Sequence, residues 1–378
     1  MRTISISCRA VSAMGLFTMA FFILCAARPA SAAPTVAQIQ SAYASYNGNF
    51  LCQDSKGNDE FAAVSGNCSG TGFWTGAELI EMAVDAYAWA KNADPGQAAA
   101  YLAEVHSLCL GFSDLHPQWW NGSDQYDDDM LWATIAFVRA YDVTGASDEL
   151  ADAEAAFATV YNHGRAGNGG IYWNAGCESS CSSWYENSPA NWTFVIAGRM
   201  LYGASGNSTY QAEADGVYDW AKATLYNSST GEIYDGYKSS GIQTGEYSYN
   251  YGIAIGAASE EADSALITNA SNFLMTGLGN YAGSVGGYNI LPNYGQGNQD
   301  GSGFNGITMR WLGVANVHGN LNSTVQAWIQ ANLNQAYAER NTTTGLIWNN
   351  WMSPTTGTEY SWDESDALVG FFLFDPKP

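Results

Sequence analysis

The stretch "DDDMLWATIAFVRAYDVTG", residues 127–145, places three consecutive aspartates directly before an apolar run. Within the run, the apolar residues recur at intervals of three and four, which is the period of an α-helix with a buried face. The run ends in a short polar link that contains Gly145, a residue type that often terminates helices. The stretch therefore predicts a helix that begins at a cluster of carboxylates.

The helical pattern is repeated in pairs along the chain. Between the pairs, segments with the pattern Gly-x-Ile-aromatic return at a step of roughly 58 residues, as in "GGIYW" (169–173), "GEIYDGY" (231–237) and "GLIWNNW" (345–351). Within each pair, a short polar link joins the two helices. The predicted pairs start near residues 71, 127, 187, 249, 303 and 361, and the last of them is completed by an N-terminal helix at 35–46.

Six helix pairs of this kind favour a closed ring over a linear solenoid. A solenoid needs polar capping repeats at its ends, whereas both terminal helices of this chain are amphipathic. The sequence therefore predicts an all-α fold, a single-domain (α/α)6 barrel of six helix pairs with the more apolar first helix of each pair inside. The long connections, which are rich in aromatic residues, would then share one end of the barrel, where a functional site is expected.

The first 33 residues have the pattern of a secretory signal peptide. A basic start is followed by an apolar run at 11–27 and by a small-residue cleavage signal at 30–32. We expect residues 1–33 to be removed and residues 34–378 to form one extracellular domain. No later stretch is apolar enough to span a bilayer, and the C-terminal end lacks a lipid-attachment signal, so we expect no membrane anchor.

The composition favours a neutral polymer as the partner. The formal net charge is −23, which argues against nucleic acid and anionic lipid. The chain has 14 Trp and 23 Tyr, and flat aromatic rings stack on the apolar faces of sugars as readily as they fill a core. We therefore expect a secreted monomer that binds carbohydrate.

The cysteines predict two disulfides and no metal site. Five cysteines follow the predicted cleavage point, and short separation favours the pairs Cys52–Cys68 and Cys177–Cys181. Cys109 lies in an apolar helical pattern and is expected to be a buried free thiol. The four histidines are scattered and form no HExxH motif, which argues against zinc. Eight N-x-[ST] sequons allow N-glycosylation.

The aspartate cluster suits glycosidic bond cleavage. Two simpler interpretations exist, since Asp favours helix N-termini and carboxylates bind calcium, although no EF-hand spacing follows here. Hydrolysis of a glycoside needs one ionised and one protonated carboxyl group, and a neighbouring negative charge raises the pKa of the second group. Adjacent aspartates supply this difference if they straddle the helix cap. No GxSxG elbow or phosphate-binding loop points to other chemistry.

Five segments in order resemble glycoside hydrolase family 76, the endo-α-1,6-mannanases. They are "DDMLWATIAFVRAYDVTG" (128–145), "GGIYW" (169–173), "YENSPANWTFVIAGRMLY" (185–202), "YSYNYGIAIGAA" (247–258) and "QDGSGFNGITMRWL" (299–312). The resemblance implies an (α/α)6 barrel, no cofactor, and retaining hydrolysis of the α-1,6-mannan backbone of fungal and yeast cell walls.

The resemblance also assigns roles to residues. It implies Asp128 as the nucleophile and Asp129 as the general acid/base, while the extra Asp127 leaves a second register, Asp127 with Asp128, open. Glu186 stands where the family usually has Lys, which puts one sugar contact in doubt. The resemblance implies substrate binding by Asn187, Asn191, Tyr249, Asn250 and Phe304. The long connections and the helix starts beside them add Trp119, Trp120, Tyr126, Asp127, Trp173, Asp300 and Trp362 as candidates.

Three other functions compete with an endo-mannanase. One is a cell-wall transglycosidase that moves mannosyl-linked chains. Another is a non-catalytic mannan-binding protein on the same barrel, against which the intact aspartate pair speaks. The third is a polysaccharide lyase, which needs basic residues near the scissile bond, whereas this site is acidic.

Overall fold

The computed structural model describes residues 33–122, 124–175, 177, 184–297 and 299–374. Twelve α-helices lie within these ranges. They are α1 Val36–Phe50, α2 Phe73–Ala93, α3 Ala98–Leu115, α4 Asp127–Thr144, α5 Ser147–Gly164, α6 Ser188–Ser205, α7 Ser208–Thr224, α8 Ser248–Glu260, α9 Ser264–Thr276, α10 Phe304–Val317, α11 Ser323–Ala338 and α12 Ser361–Phe374.

Three small antiparallel sheets accompany the helices in the described ranges. The first pairs β1 Leu51–Gln53 with β2 Asp59–Phe61, and the second has the order β3 Tyr185–Asn187, β4 Gly236–Lys238, β5 Gly241–Gln243. The third pairs β6 Gly283–Val285 with β7 Tyr288–Ile290. Short 3-10 turns precede α4 at Trp119–Asn121 and α10 at Asp300–Gly303.

The even-numbered helices form a closed inner ring. Each contacts the next in the order α2, α4, α6, α8, α10, α12, and α12 returns to contact α2. Helices α3, α5, α7 and α9 pack outside their preceding inner helices, while α1 and α11 pack on α12. The predicted (α/α)6 barrel is therefore confirmed, including the completion of the last pair by the N-terminal helix.

Burial separates inner from outer helices in the way the sequence pattern predicts. Inner α4 is buried almost without interruption from Met130 to Val138, and a helix that is apolar all round belongs in a core. Outer α7 buries only Ala214, Val217, Tyr218 and Ala221, one stripe at the helical period. Between α4 and α5, Gly145 adopts a left-handed φ of 73° and ends α4, so that α5 starts two residues later.

The inner ring also holds a buried ionic network between α2, α4 and α10. Arg310, which is 1% exposed, binds Glu78 and lies 3.0 Å from Asp85 through its Nε. Arg139 binds Glu81 at 2.7 Å and also contacts Asp85. Buried charges are tolerated when they are paired in this way, and the network links α10 to α2 and α4 across the interior of the ring.

The disulfide predictions are settled in part. Cys52 and Cys68 are bonded, with 5.7 Å between their Cα atoms, and link β1 to the loop before α2. Cys109 is a buried free thiol, as predicted. Cys177 is disulfide-bonded, but its predicted partner Cys181 lies outside the described residues, so this pair stays a prediction.

The predicted signal peptide also stays a prediction, because all but its last residue lies outside the described ranges. No helix in the described part of the chain combines the length and the apolar character that a membrane crossing needs.

Candidate active site

A cavity of about 660 Å³ opens at the end of the barrel where the inner helices begin. The starts of α2, α4, α6, α8 and α10 all contribute to its wall, together with the long connections, as the sequence predicts. The lining residues are Trp74, Tyr126, Asp128, Asp129, Trp132, Trp173, Tyr185, Asn187, Asp235, Tyr247, Tyr249, Tyr294, Asp300, Gly301 and Phe304.

Asp128 is a buried carboxylate with two hydrogen-bond donors. Its Oδ2 accepts from Asn187 Nδ2 at 3.0 Å, and its Oδ1 accepts from the backbone N–H of Asp129 at 3.1 Å. Burial raises the pKa of Asp128 to about 7, and these two hydrogen bonds oppose the rise. Because it lies in the first turn of α4, the positive end of the helix dipole also favours its ionised form.

Asp129 faces the same cavity in a different electrostatic setting. Burial raises its pKa to about 9, and the negative charges of Asp128, Asp124 and Asp300 add to the rise. Asp129 therefore keeps its proton to higher pH than Asp128, whose two hydrogen-bond donors favour the ionised form. The two adjacent carboxyl groups therefore have the opposite protonation preferences that the sequence predicts for an aspartate pair.

Asp127, a predicted substrate-binding residue, is turned away from the cavity and does not line it. A Cβ added at Gly164, the last residue of α5, would lie 2.3 Å from Asp127 Oδ2, which places this carboxylate against the neighbouring helix. All three aspartates lie inside the first turn of α4, after the N-cap Tyr126. The expectation that the catalytic pair straddles the cap is therefore wrong. The rotation of about 100° per helical residue instead carries Asp128 and Asp129 to the cavity and Asp127 out of it.

Aromatic rings form two stacked pairs in the cavity wall. Tyr126 stacks on Trp173 with 4.7 Å between ring centroids and an angle of 23°. Tyr249 stacks on Phe304 at 3.9 Å and 18°. Each ring is held by its partner, so its orientation is fixed before a ligand arrives. These four predicted residues, with Asn187 and Asp300, do line the cavity.

A second polar group in the wall escaped the sequence prediction. Asp235 Oδ1 accepts from Asn250 Nδ2 at 3.0 Å, and its Oδ2 accepts from the Tyr185 hydroxyl. The signal that could have identified Asp235 is its place in the repeated aromatic segment 231–237. The other lining residues that were not predicted as site residues are Trp74, Trp132, Tyr185, Tyr247, Tyr294 and Gly301.

Asn191 and Asn250, which the resemblance assigns to sugar subsites, support the cavity wall from behind and do not line it. Asn191 accepts from Ile171 N at 2.8 Å and donates to Ile171 O at 3.0 Å, which fixes the "GGIYW" segment. Asn250 instead holds Asp235. Both side chains are fully buried.

Three predicted tryptophans also lie outside the lining. Trp119 is fully buried and packs on Phe137 at 4.7 Å, so it is a core residue. Trp120 packs partly buried against the core. Trp362 is buried behind the wall, where its Nε1 donates to Asp300 O at 3.1 Å and its ring meets Trp74 edge-on. Their physical role is packing, since large apolar rings stabilise a core as well as a binding site.

Glu186, the departure from the usual family Lys, is not in the cavity lining. It is the middle residue of β3, and successive strand residues face opposite sides, so Tyr185 and Asn187 face the cavity. The Glu186 carboxylate is buried and accepts from Asn168 Nδ2 at 3.0 Å. Burial raises the pKa of Glu186 to about 7. Among the described residues, no group of three or more His, Cys, Asp or Glu side chains is placed to hold a metal ion.

Comparison with known proteins agrees with this geometry. The family model of glycosyl hydrolase family 76 matches residues 38–370. No curated protein sequence matches the chain. Among solved structures, an α-1,6-mannanase from Salegentibacter sp. HEL1_6 is similar with a TM-score of 0.74 and 22% identity, over 90% of this chain and 97% of that chain.

More distant structures share the fold as well. A family 76 mannosidase from Bacteroides thetaiotaomicron has a TM-score of 0.69 and 17% identity, over 89% of this chain and 96% of that chain. Dfg5 from Chaetomium thermophilum, in complex with glucosamine, has a TM-score of 0.62 and 19% identity, over 89% of each chain. The Salegentibacter enzyme is also known as an inactive variant, with two consecutive aspartates replaced by asparagine, in complex with α-1,6-mannotriose.

Proposed function

This chain belongs to glycosyl hydrolase family 76, and from that premise we propose that it is a secreted, retaining endo-α-1,6-mannanase. Its substrate is the α-1,6-mannan backbone of fungal and yeast cell walls. The observation that carries the proposal is the pair Asp128 and Asp129, which share one aromatic-lined cavity but differ in their preference for a proton.

In the first step Asp128 is the nucleophile. An Asp128 carboxylate oxygen attacks the anomeric carbon while Asp129 gives its proton to the glycosidic oxygen, so the carbon–oxygen bond breaks and the leaving chain departs as an alcohol. A covalent glycosyl ester on Asp128 remains. Asn187 and the Asp129 amide, which donate to Asp128, keep it ionised for the attack.

In the second step Asp129 is the base. The ionised Asp129 takes a proton from a water molecule, the water oxygen attacks the anomeric carbon, and the ester bond to Asp128 breaks. Two inversions give net retention. Inversion in a single step would need the carboxyl groups roughly 6.5–9.5 Å apart with a water between them, a separation that neighbouring residues in one helical turn do not favour.

The substrate assignment is supported by the wall of the cavity and by the relatives. The two stacked ring pairs, Tyr126 with Trp173 and Tyr249 with Phe304, offer more than one platform for a pyranose ring, which suits cleavage inside a chain. A net charge of −23 suits a neutral polymer. The similar Salegentibacter protein is an α-1,6-mannanase bound to α-1,6-mannotriose in an inactive form.

Linear α-1,6-mannan tests the proposal directly. We expect shorter oligosaccharides in the product mixture and α-mannose as the first anomer in an NMR time course. Initial β-mannose would refute the retaining mechanism. Products longer than the substrate would instead indicate a transglycosidase, in which a sugar hydroxyl replaces water in the second step, and no change in size would indicate a mannan-binding protein.

Secretion is proposed from the pattern of residues 1–33 alone. N-terminal sequencing of the protein recovered from culture medium tests it, and the expected mature start is near residue 34.

A further inference from the structure

A second groove lies across the β3–β4–β5 sheet from the catalytic cavity. Its volume is about 670 Å³, close to that of the cavity. It is formed by the C-terminal end of α7, the connection that follows it, and the outer face of the sheet. The lining residues are Asn168, Trp220, Ala223, Thr224, Tyr226, Asn227, Ser228, Tyr234, Tyr237 and Ile242.

The chemistry of this groove resembles that of the cavity without its carboxylates. Trp220, Tyr234 and Tyr237 present partly exposed rings. The amides of Asn168 and Asn227 and the hydroxyl groups of Thr224 and Ser228 lie beside them. None of the described lining residues is charged. Aromatic faces flanked by neutral hydrogen-bonding groups suit a neutral sugar, because the rings stack on the pyranose and the amides bind its hydroxyl groups.

The Trp220 ring is held in place from behind. A Cβ added at Gly170 would lie 2.8 Å from Trp220 Cζ2, so the backbone of the "GGIYW" segment packs directly on the indole. A platform that is fixed before binding loses little entropy when a ligand arrives. The same segment carries Trp173 into the catalytic cavity.

The groove and the cavity lie on opposite faces of the β3–β4–β5 sheet and of the connection that precedes β4. In β3, Tyr185 and Asn187 face the cavity, while Glu186 pairs across strands with Tyr237, which lines the groove. In the connection before β4, Asp235 faces the cavity and its neighbour Tyr234 lines the groove. A polymer held in the groove is therefore kept one sheet away from the catalytic aspartates.

We propose that this groove is a second carbohydrate-binding site that holds a segment of mannan polymer while another segment occupies the catalytic cavity. The proposal rests on the proposed function for the identity of the polymer. In this proposal the groove keeps the protein bound to large substrates. Loss of the groove therefore weakens binding to polymer and leaves the cleavage of short oligosaccharides unchanged.

Two substitutions on one helix give a matched test. Ala223 and Ala212 are both exposed residues of α7, but only Ala223 lines the groove. Ala223→Arg places a long side chain in the groove, whereas Ala212→Arg makes the same change of charge outside it. Trp220→Ala, checked for an unchanged thermal melting profile, removes the platform itself.

Binding is measured by depletion on insoluble α-1,6-mannan, in a background with Asp128→Asn and Asp129→Asn so that no polymer is cleaved. We expect Ala223→Arg and Trp220→Ala to weaken binding roughly two- to tenfold, the loss of about one aromatic stacking contact, and Ala212→Arg to bind like its parent. In the active background, kcat/KM on a short α-1,6-manno-oligosaccharide is expected to be the same for all variants.

The outcomes separate the two proposals. If the active chain cleaves mannan but Ala223→Arg binds polymer as Ala212→Arg does, the groove is not a binding site and the proposed function stands. If Ala223→Arg also slows cleavage of the short oligosaccharide, the groove is not a separate site. If the chain cleaves neither substrate, the proposed function fails, and a groove-dependent loss of polymer binding still supports the second site. No polymer binding by any variant, the parent included, overturns the second site, while cleavage by the active chain decides the proposed function.

Discussion

Replacing Asn187 by Ser tests how the cavity keeps Asp128 ionised. Asn187 Nδ2 donates to Asp128 Oδ2 at 3.0 Å, and both side chains are buried. A hydrogen bond to a charged group contributes about 1.5–3 kcal/mol, and one pKa unit corresponds to about 1.36 kcal/mol. Loss of this donor therefore raises the pKa of Asp128 by about one to two units.

The consequence appears in the pH dependence of kcat/KM on α-1,6-mannan. For the unmodified chain we expect a bell-shaped profile, whose acidic limb reports ionisation of Asp128 near its pKa of about 7 and whose basic limb reports loss of the Asp129 proton near its pKa of about 9. In Asn187→Ser, the acidic limb moves to higher pH. Below that limb the loss of kcat/KM is roughly 10- to 100-fold, and it shrinks as the pH rises.

Ser is chosen because Asn187 is also the N-cap of α6, where its Oδ1 accepts from Ala190 N at 3.1 Å. Ser preserves an N-cap acceptor but offers no amide donor. Asn207→Ser changes the N-cap of α7 in the same way, far from the cavity, and should leave the profile unchanged. A uniform loss at every pH in Asn187→Ser, with the acidic limb in its original place, would refute the reasoning.

Three further predictions follow from the site and its support. In mannan hydrolysis assays, Asp128→Asn and Asp129→Asn each lose several orders of magnitude in kcat, whereas Asp127→Asn keeps most activity because its side chain lies against Gly164; the reverse pattern for Asp127 and Asp129 would contradict the register. The raised pKa of Asp129 means that the folded state binds its proton more tightly than the unfolded state, so its contribution to stability is present at low pH and is lost as the pH rises toward the folded pKa. Asp129→Asn should therefore raise the melting temperature at pH 8 and change it little at pH 4, and calorimetry at both values checks this. Arg310→Met leaves buried carboxylates unpaired and should lower the free energy of unfolding by about 3–5 kcal/mol in denaturant titration; a change under about 1 kcal/mol would show that the network is dispensable.

Most of the predicted fold follows from local features of the sequence. The predicted pair starts fall within two residues of the observed starts Phe73, Asp127, Ser188, Ser248, Phe304 and Ser361. Helical periodicity and polar links are properties of neighbouring residues, so they can be read without the tertiary structure. The three-residue strands were not predicted, because such short pairings depend on which loops meet in space.

The predictions for the site divide in the same way, between local sequence signals and tertiary contacts. Trp173 and Tyr249, which were predicted from their place in long connections or in matching motifs, line the cavity. Trp119 does not line it, and the sequence could not show this, because an aromatic residue in a long connection has the same appearance whether it packs on Phe137 or faces a ligand. Asp235 was missed because its position is set by Tyr185 and Asn250, and Tyr185 is 50 residues away in the chain.

Closure of the inner ring constrains how such a protein can change. An open array of helix pairs can gain or lose a unit at either end, because each unit contacts only its neighbours. Here α12 packs against α2, so removal of one pair would separate or crowd every remaining contact around the ring. The number of pairs thereby sets the width of the cavity mouth. Divergence in substrate must then come from insertions, deletions and substitutions in the long connections, each of which alters one sector of the rim and leaves the other five pairs as they were.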